Sequence, residues 1–103
     1  MAKKLDSIIK RFRNALETRG ISVEQIVLFG SYAENRQHEG SDIDLAIISD
    51  SFRRKSYWER IDILSQAVFE VLEPIEAMAY TTDEWKKKET MLCQFAHQGK
   101  VMR

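Results

Sequence analysis

The spacing of apolar and polar positions predicts a helix at the start of the chain. Apolar residues recur there every three or four positions, and Gly20 follows as a C-terminal cap. These apolar residues are Leu5, Ile8, Ile9, Phe12 and Leu16. We expect this one-sided helix to cover one face of a sheet.

Two short apolar runs follow, and both predict strands. The first is placed at residues 25–29, although residues 21–29 can also form one continuous strand. The second opens at Asp42 and is apolar on both faces beyond its acidic start, which is typical of a central strand with helices above and below. Between them, residues 32–36 are predicted to form a short helix and residues 37–41 a polar loop.

The second half of the chain predicts helix, strand and helix. Ser56 and Glu59 have the spacing of a capping box, and apolar residues continue at helical spacing from Trp58 onward. Residues 75–80 predict a third strand. Since strand, helix, strand connections are right-handed in nearly all cases, this strand should run parallel to the second one. A further helix is expected at residues 82–97, and residues 100–103 are either a final edge strand or a frayed tail.

Composition describes a small globular protein. Of its 103 residues 44% are hydrophobic and 31% are charged, which excludes a disordered chain, and we expect one domain over residues 1–103. Sixteen basic and sixteen acidic residues cancel. The charge therefore gives no indication of nucleic-acid or membrane binding, and a net charge near zero mildly favours association with partners, including a homo-oligomer.

The sequence shows no pattern of a targeting signal, and it contains a single cysteine. No stretch has the apolar length of a signal peptide or a membrane span, so we expect a cytoplasmic protein. Cys93 is the only cysteine, which excludes an internal disulfide and a cysteine-cluster zinc site. A buried thiol on a helix is the expected state of this residue.

The start of the second strand carries a candidate metal site. Asp42 and Asp44 are separated by one residue, so their side chains project from one face of a strand with Cα atoms about 7 Å apart. Two carboxylates this close repel each other unless a cation lies between them, and Mg²⁺ prefers such oxygen ligands. Because Mg²⁺ usually takes its remaining ligands from water and substrate phosphates, the pair also implies a nucleotide.

Gly30 and Ser31 predict the phosphate-binding half of the same site. A glycine lets the main chain approach phosphate oxygens without a Cβ in the way. The serine adds a hydroxyl donor at what the pattern predicts to be a helix N-terminus.

Glu76 is the candidate for a third carboxylate. The N-terminal ends of two parallel strands share one edge of a sheet, so Glu76 should fall beside Asp42 and Asp44. Glu70 and Glu73 lie near in sequence and are the alternatives, since strand edges are uncertain by two to four residues.

Together these motifs resemble a known family signature. Gly30-Ser31, ten residues, then Asp42-Ile43-Asp44 is similar to the signature of the DNA polymerase β-like nucleotidyltransferase superfamily, and most of all to its minimal nucleotidyltransferase (MNT) proteins. Asn35 stands where many relatives carry glycine, and asparagine also tolerates a left-handed conformation. The resemblance implies an α/β (α+β) nucleotidyltransferase fold with a small mixed sheet of three to four strands flanked by helices.

The resemblance also implies an activity and a partner. The activity is adenylyltransferase chemistry, the transfer of a nucleoside monophosphate from a triphosphate, ATP above all, to a hydroxyl. Two Mg²⁺ ions would be held by Asp42, Asp44 and Glu76, while Gly30 and Ser31 hold the β- and γ-phosphates. Similar MNT proteins pair with HEPN-domain toxins in type VII-like toxin–antitoxin modules, so the implied role is an antitoxin that adenylylates its toxin.

Two other functions stay open at this point. One is a non-catalytic, nucleotide-binding antitoxin that neutralises its partner by covering it. The other is a small-molecule nucleotidyltransferase of the aminoglycoside-modifying kind. The basic clusters at residues 53–55 and 86–88, together with Arg36 and His38, are interpreted as solvated surface side chains. The alternative is that Arg36 and residues 53–55 bind triphosphate or an acidic acceptor, and that His38 contacts substrate.

Overall fold

Residues 2–102 form helices around a four-stranded sheet, and these are the residues that the computed structural model describes. The elements in chain order are α1 (Ala2–Glu17), β1 (Gln25–Phe29), β2 (Ile43–Ile48), a 3₁₀ helix (Asp50–Phe52), α2 (Tyr57–Val71), β3 (Ile75–Tyr80), α3 (Thr82–Lys87), α4 (Met91–Ala96) and β4 (Lys100–Val101). Over the described range, no helix combines the length and apolar character required to cross a bilayer.

The sheet has the order β3-β2-β1-β4 and is mixed. β2 runs antiparallel to β1 and parallel to β3, and β4 adds to the outer side of β1 in the antiparallel sense. The predictions of strand 25–29, of a central second strand and of a parallel third strand are confirmed. Of the two alternatives for the C-terminal segment, the structure shows the edge strand, at Lys100–Val101.

Both faces of the sheet are covered, as the apolar character of β2 predicts. α1 and α2 pack on the face that carries Ile43, Leu45 and Ile47. The opposite face carries Ala46 and Ile48, and side chains of α3 and α4 pack over it. Because successive strand residues point to opposite faces, a one-residue slip of β2 would move Asp44 onto the face packed by α1 and α2, and the register is therefore well determined.

The predicted helix at residues 32–36 is wrong. This segment is a series of turns in which the carbonyl of Gly30 accepts hydrogen bonds from the amides of Ala33 and Glu34. Asn35 then adopts a left-handed conformation with φ of 59°, which ends any helical continuation. The tolerance of asparagine for this conformation was predicted and is confirmed.

The predicted helix at residues 82–97 is two helices in the structure. Lys88 adopts a left-handed conformation with φ of 51° and ends α3. Thr90 then starts α4, since its hydroxyl accepts a hydrogen bond from the amide of Cys93 at 3.0 Å. Cys93 itself is buried, as expected.

The α2 helix begins at the predicted capping box but does not bury all of its apolar residues. The Ser56 hydroxyl accepts from the Glu59 amide, and the Glu59 carboxylate accepts from the Ser56 amide. Trp58, which starts the apolar spacing in the sequence, is 74% exposed. Phe52, on the preceding 3₁₀ helix, is fully buried instead.

We therefore expect opposite results from two aromatic truncations. Phe52→Ala should lower the free energy of unfolding by about 3–5 kcal/mol, because it leaves a cavity in the core. Trp58→Ala, the surface control, should change it by less than about 0.5 kcal/mol. Urea titration followed by circular dichroism measures both values, and similar losses in the two variants would contradict these placements.

Candidate active site

The two aspartates lie where the loop after residue 36 enters the centre of the sheet. Asp42 immediately precedes β2 and Asp44 is the second residue of that strand. In the register of the sheet, Asp44 lies opposite Phe29 of β1 and beside Glu76 of β3. The carboxylate of Asp44 is therefore flanked on both sides by neighbouring strands, at the end of the sheet where the Gly-Ser turn begins.

The main chain of Gly30 directly approaches the carboxylate of Asp44. A Cβ built on Gly30 would lie 2.2 Å from Asp44 Oδ2, closer than any real contact of this kind. Gly30 also has a φ of +75°, which side chains rarely adopt. Both constraints favour glycine, and the structure thus brings the predicted phosphate-binding turn and a predicted metal ligand together.

Glu76 lies next to the two aspartates, as the parallel strand order predicts. The pKa of Glu76 lies above its ordinary value of 4.5, first because its carboxyl is within hydrogen-bonding reach of the Asp42 side chain. Burial and the negative charges of Asp44 and Asp42 raise the pKa further. Carboxyls this close repel each other when they are ionised, so this arrangement favours a bound cation.

Asp44 is the second carboxyl with a raised pKa. Its pKa lies above the ordinary value of 3.8, first because burial disfavours the charged carboxylate and second because Asp42 is close. Like charges packed at one site without a counter-charge destabilise the ionised form. Such clusters are frequent at functional sites, where a cation or a substrate completes them.

Ser31 does not lie at a helix N-terminus, contrary to the prediction. It sits half-buried in the turn that follows β1, and its carbonyl accepts a hydrogen bond from the Arg36 amide at 2.8 Å. Within residues 2–102 no hydrogen bond uses its hydroxyl. Any phosphate contact at this turn would thus come from this hydroxyl and from local main-chain amides rather than from a helix dipole.

A metal ion would have to share its ligands between protein and substrate. Over residues 2–102, no three His, Cys, Asp or Glu side chains are grouped closely enough to hold an ion by themselves. Mg²⁺ fits these donors nevertheless, because it is usually bound by one or two carboxylates, waters and substrate phosphates. Asp44 with Asp42 supplies such a pair, and Glu76 is adjacent.

One polar group in the loop before Asp42 was not singled out from the sequence. The side-chain oxygen of Gln37 is buried and has no hydrogen-bond partner among the described residues. Nothing in a single glutamine of a polar loop distinguishes it beforehand. The flanking charged residue Arg36 pairs with Glu34 at 2.7 Å and is 70% exposed, which agrees with its interpretation as a surface residue.

Comparison with known protein families shows which family this chain belongs to. The family model described as "Nucleotidyltransferase domain" matches residues 9–97. The chain belongs to this nucleotidyltransferase family. The match includes the Gly-Ser turn and all three candidate carboxylates, and the predicted nucleotidyltransferase fold is confirmed.

Two curated relatives of this nucleotidyltransferase domain carry adenylyltransferase names. Protein adenylyltransferase MntA of Shewanella oneidensis is 30% identical over 99 residues, which cover 94% of this chain and 63% of that protein. A candidate protein adenylyltransferase of Methanocaldococcus jannaschii is 47% identical over 47 residues, or 44% of this chain and 46% of that one. The nucleotidyltransferase domain thus spans less than two thirds of the length of either relative.

A solved structure confirms the fold. The crystal structure of a toxin–antitoxin with AMP-PNP contains a chain that superposes on this nucleotidyltransferase domain with a TM-score of 0.63 and 21% identity. The superposition covers 95% of the domain and 72% of the other chain.

The close approach of Gly30 to Asp44 leads to a first prediction for the site. Gly30→Ala should destabilise the protein by at least about 1–2 kcal/mol, because alanine is strained at positive φ and its methyl group displaces the Asp44 carboxylate. Gly40→Ala is the matched control, since Gly40 has a φ of +88° but open space around its Cβ position. Thermal unfolding of both variants measures the difference, and equal losses would contradict a specific role for the contact with Asp44.

The raised pKa values lead to a second prediction. Because the pKa of Asp44 is higher in the folded than in the unfolded state, protonation of this carboxyl stabilises the fold. This stabilisation is complete below the ordinary pKa of 3.8 and is lost as the pH rises through the raised pKa of the folded state. Without divalent metal, Asp44→Asn should therefore gain stability relative to wild type as the pH increases from about 4 to 7. Melting temperatures in EDTA test this, with the exposed Asp62→Asn on α2 as control. A stability difference that is independent of pH would contradict the assignment.

Proposed function

We propose that this chain is a metal-dependent nucleotidyltransferase that transfers AMP from ATP to a hydroxyl on a partner protein. The observation that carries the proposal is the contact between Gly30 and Asp44, because it joins a phosphate-binding turn to a carboxylate in a single site. Membership of the nucleotidyltransferase family and the names of the two relatives support the same chemistry. In the reaction the acceptor oxygen bonds to the α-phosphorus, the bond to the bridging oxygen breaks, and pyrophosphate leaves.

The turn after β1 is proposed to hold the triphosphate tail. Gly30 presents main chain without a Cβ, so phosphate oxygens can approach it closely. The Ser31 hydroxyl can donate to the same oxygens. The glycine also keeps the Asp44 carboxylate beside this turn, which places the phosphates and the acidic groups next to each other.

The carboxylates of Asp42, Asp44 and Glu76 are proposed to hold two Mg²⁺ ions. Bound there, Mg²⁺ would neutralise charge on the phosphates and lower the pKa of the acceptor hydroxyl. The raised pKa of Asp44, due first to burial, and that of Glu76, due first to the Asp42 side chain, support this proposal, since a cation would stabilise the ionised carboxylates. Deprotonation and cation binding are then linked, so affinity for the ion should increase with pH.

The acceptor is proposed to be a toxin that the domain neutralises. The structural neighbour is described as a toxin–antitoxin with AMP-PNP, which supports both a toxin partner and an adenine nucleotide. The sequence resemblance to MNT proteins narrows the proposed partner to a HEPN-domain protein. The proposed role of this chain is accordingly that of an antitoxin that adenylylates its toxin.

A second candidate function is neutralisation by binding alone. The observation that favours it is the lack, over residues 2–102, of three side chains grouped to hold a metal ion. In this alternative no cation would bind at Asp42, Asp44 and Glu76, and nucleotide would be a regulator or have no role.

The two functions differ in their response to removal of the acidic groups. With purified partner and ATP labelled at the α-phosphate, Asp42→Asn and Asp44→Asn should each reduce AMP transfer by more than about a hundredfold, because charge stabilisation of the transferred group is lost. Glu39→Gln, in the neighbouring loop, is the control and should retain transfer.

Cell growth in the presence of the toxin is the second readout. The enzyme proposal expects the double variant Asp42→Asn with Asp44→Asn to lose protection. Full protection by that variant, with no transfer of label, would establish neutralisation by binding instead.

A further inference from the structure

The outer edge of β3 is available for pairing with another strand. β3 is the last strand of the sheet on its side. The carbonyls of Pro74 and Tyr80 accept hydrogen bonds from the amides of Ile43 and Ser49, so the even-numbered residues direct their main-chain groups toward β2. Main-chain groups alternate along a strand, which directs those of Ala77 and Ala79 away from the sheet. Ala77 and Ala79 therefore present main-chain donors and acceptors along the open edge, whereas the amide of Ile75 already donates to the carbonyl of Glu73.

This edge lacks the usual protection against strand addition. Natural edge strands are blocked by lysines, prolines, bulges or a covering segment. Between Ile75 and Tyr80 the chain has no lysine and no proline, and its one charged side chain is Glu76. The alanines at positions 77 and 79 keep the edge free of bulky side chains.

A groove of about 530 Å³, here called the β3 groove, lies along the same edge. Tyr57, Ile61 and Leu64 of α2 line one wall, and Leu92 and Cys93 of α4 line the other. A smaller hollow of about 400 Å³ continues along α2 past Glu76 and shares residues with the groove. The exposed edge of β3 thus lies at the floor of an apolar channel, which is the form of site that binds an extended peptide.

The charges around the β3 groove are acidic. Three carboxylates line it, and its single guanidinium, on Arg60, bonds to Glu84 at 2.7 Å. Glu76 and Glu89 have no ion pair with a basic residue within residues 2–102. With Glu76 assigned to the proposed cation, two negative groups and one positive group leave a formal charge of −1, so the complementary occupant is basic.

We propose that the β3 groove binds an extended, basic segment of the acceptor protein, which adds to the sheet as a strand beside β3. This inference rests on the proposed function, because the groove begins at Glu76 and a hydroxyl on the added segment would lie next to the candidate carboxylates. From Glu76 to Tyr80 the edge extends over about 13 Å, which accommodates about five residues of an extended chain. A second copy of this chain is the weaker occupant, because its own groove would bring a further negative charge against the first.

A synthetic peptide tests the binding site without nucleotide. The probe is a fluorescein-labelled heptapeptide of alternating lysine and valine with a central serine. Added to the full 103-residue chain, it should shift the amide resonances of Ala77 and Ala79. Methylation of alternate peptide amides should weaken binding by at least about tenfold, because it removes the main-chain hydrogen bonds. No binding at about 1 mM would overturn the proposal.

Two pairs of variants locate the site. Leu92→Asp, in the groove wall, should weaken peptide binding by about tenfold. Met91→Asp, its neighbour outside the groove and 86% exposed, should leave binding unchanged. Glu89→Lys should weaken binding of the lysine peptide and strengthen binding of a peptide with glutamate in place of lysine. Equal effects of Leu92→Asp and Met91→Asp, or no change of charge preference in Glu89→Lys, would overturn the proposal.

The readouts separate this proposal from the proposed function. Peptide binding that persists in Asp42→Asn, with AMP transfer lost, supports both. Peptide binding at Ala77 and Ala79 by a chain that never transfers AMP supports the groove and removes the enzyme. Transfer to the whole partner that is insensitive to Leu92→Asp and Glu89→Lys keeps the enzyme and overturns the groove, as would sedimentation that shows a dimer paired through β3.

Discussion

The antiparallel pairing of β1 with β2 is the constraint on which the candidate site depends. It sets Phe29 opposite Asp44, and the next residue, Gly30, then brings its main chain against the Asp44 carboxylate. The register is held by apolar side chains on both faces of β2, so the contact is fixed by the core rather than by the loop. A side chain at position 30 would have to displace the carboxylate, which links the choice of glycine here directly to the acidic group.

The parallel pairing of β2 with β3 adds the third acidic group at an electrostatic cost. It places Glu76 beside Asp44, and the pKa of each is raised, that of Glu76 first by the Asp42 side chain and that of Asp44 first by burial. The paired strands fix the main-chain positions of Asp44 and Glu76, so repulsion between their carboxylates arises whenever both are ionised. A bound cation would relieve it, and the same strand that carries Glu76 offers its open edge to an acceptor segment. Chemistry and acceptor binding would thus share one strand.

Much of this arrangement could be predicted from residues with strong local signals. The apolar runs of β1 and β2, the capping box at Ser56 and the crossover rule predicted the sheet order around Glu76. The sequence predicts a helix after Gly30, because a periodicity argument does not detect the left-handed Asn35 that ends the turns there. The sequence likewise predicts one helix over residues 82–97, because a periodicity argument does not detect the left-handed Lys88 that ends α3. Exposure of Trp58 and burial of Phe52 depend on tertiary packing, and helical spacing alone could not separate them.

Paramagnetic broadening by Mn²⁺ in the presence of a non-hydrolysable ATP analogue tests the central claim most directly, because Mn²⁺ prefers the same oxygen ligands as Mg²⁺. The account predicts that substoichiometric Mn²⁺ first broadens the amide resonances of Gly30, Asp44 and Glu76, and leaves that of Trp58 sharp. Broadening that begins at other acidic surface positions, with those three resonances unchanged, would contradict a shared metal and nucleotide site.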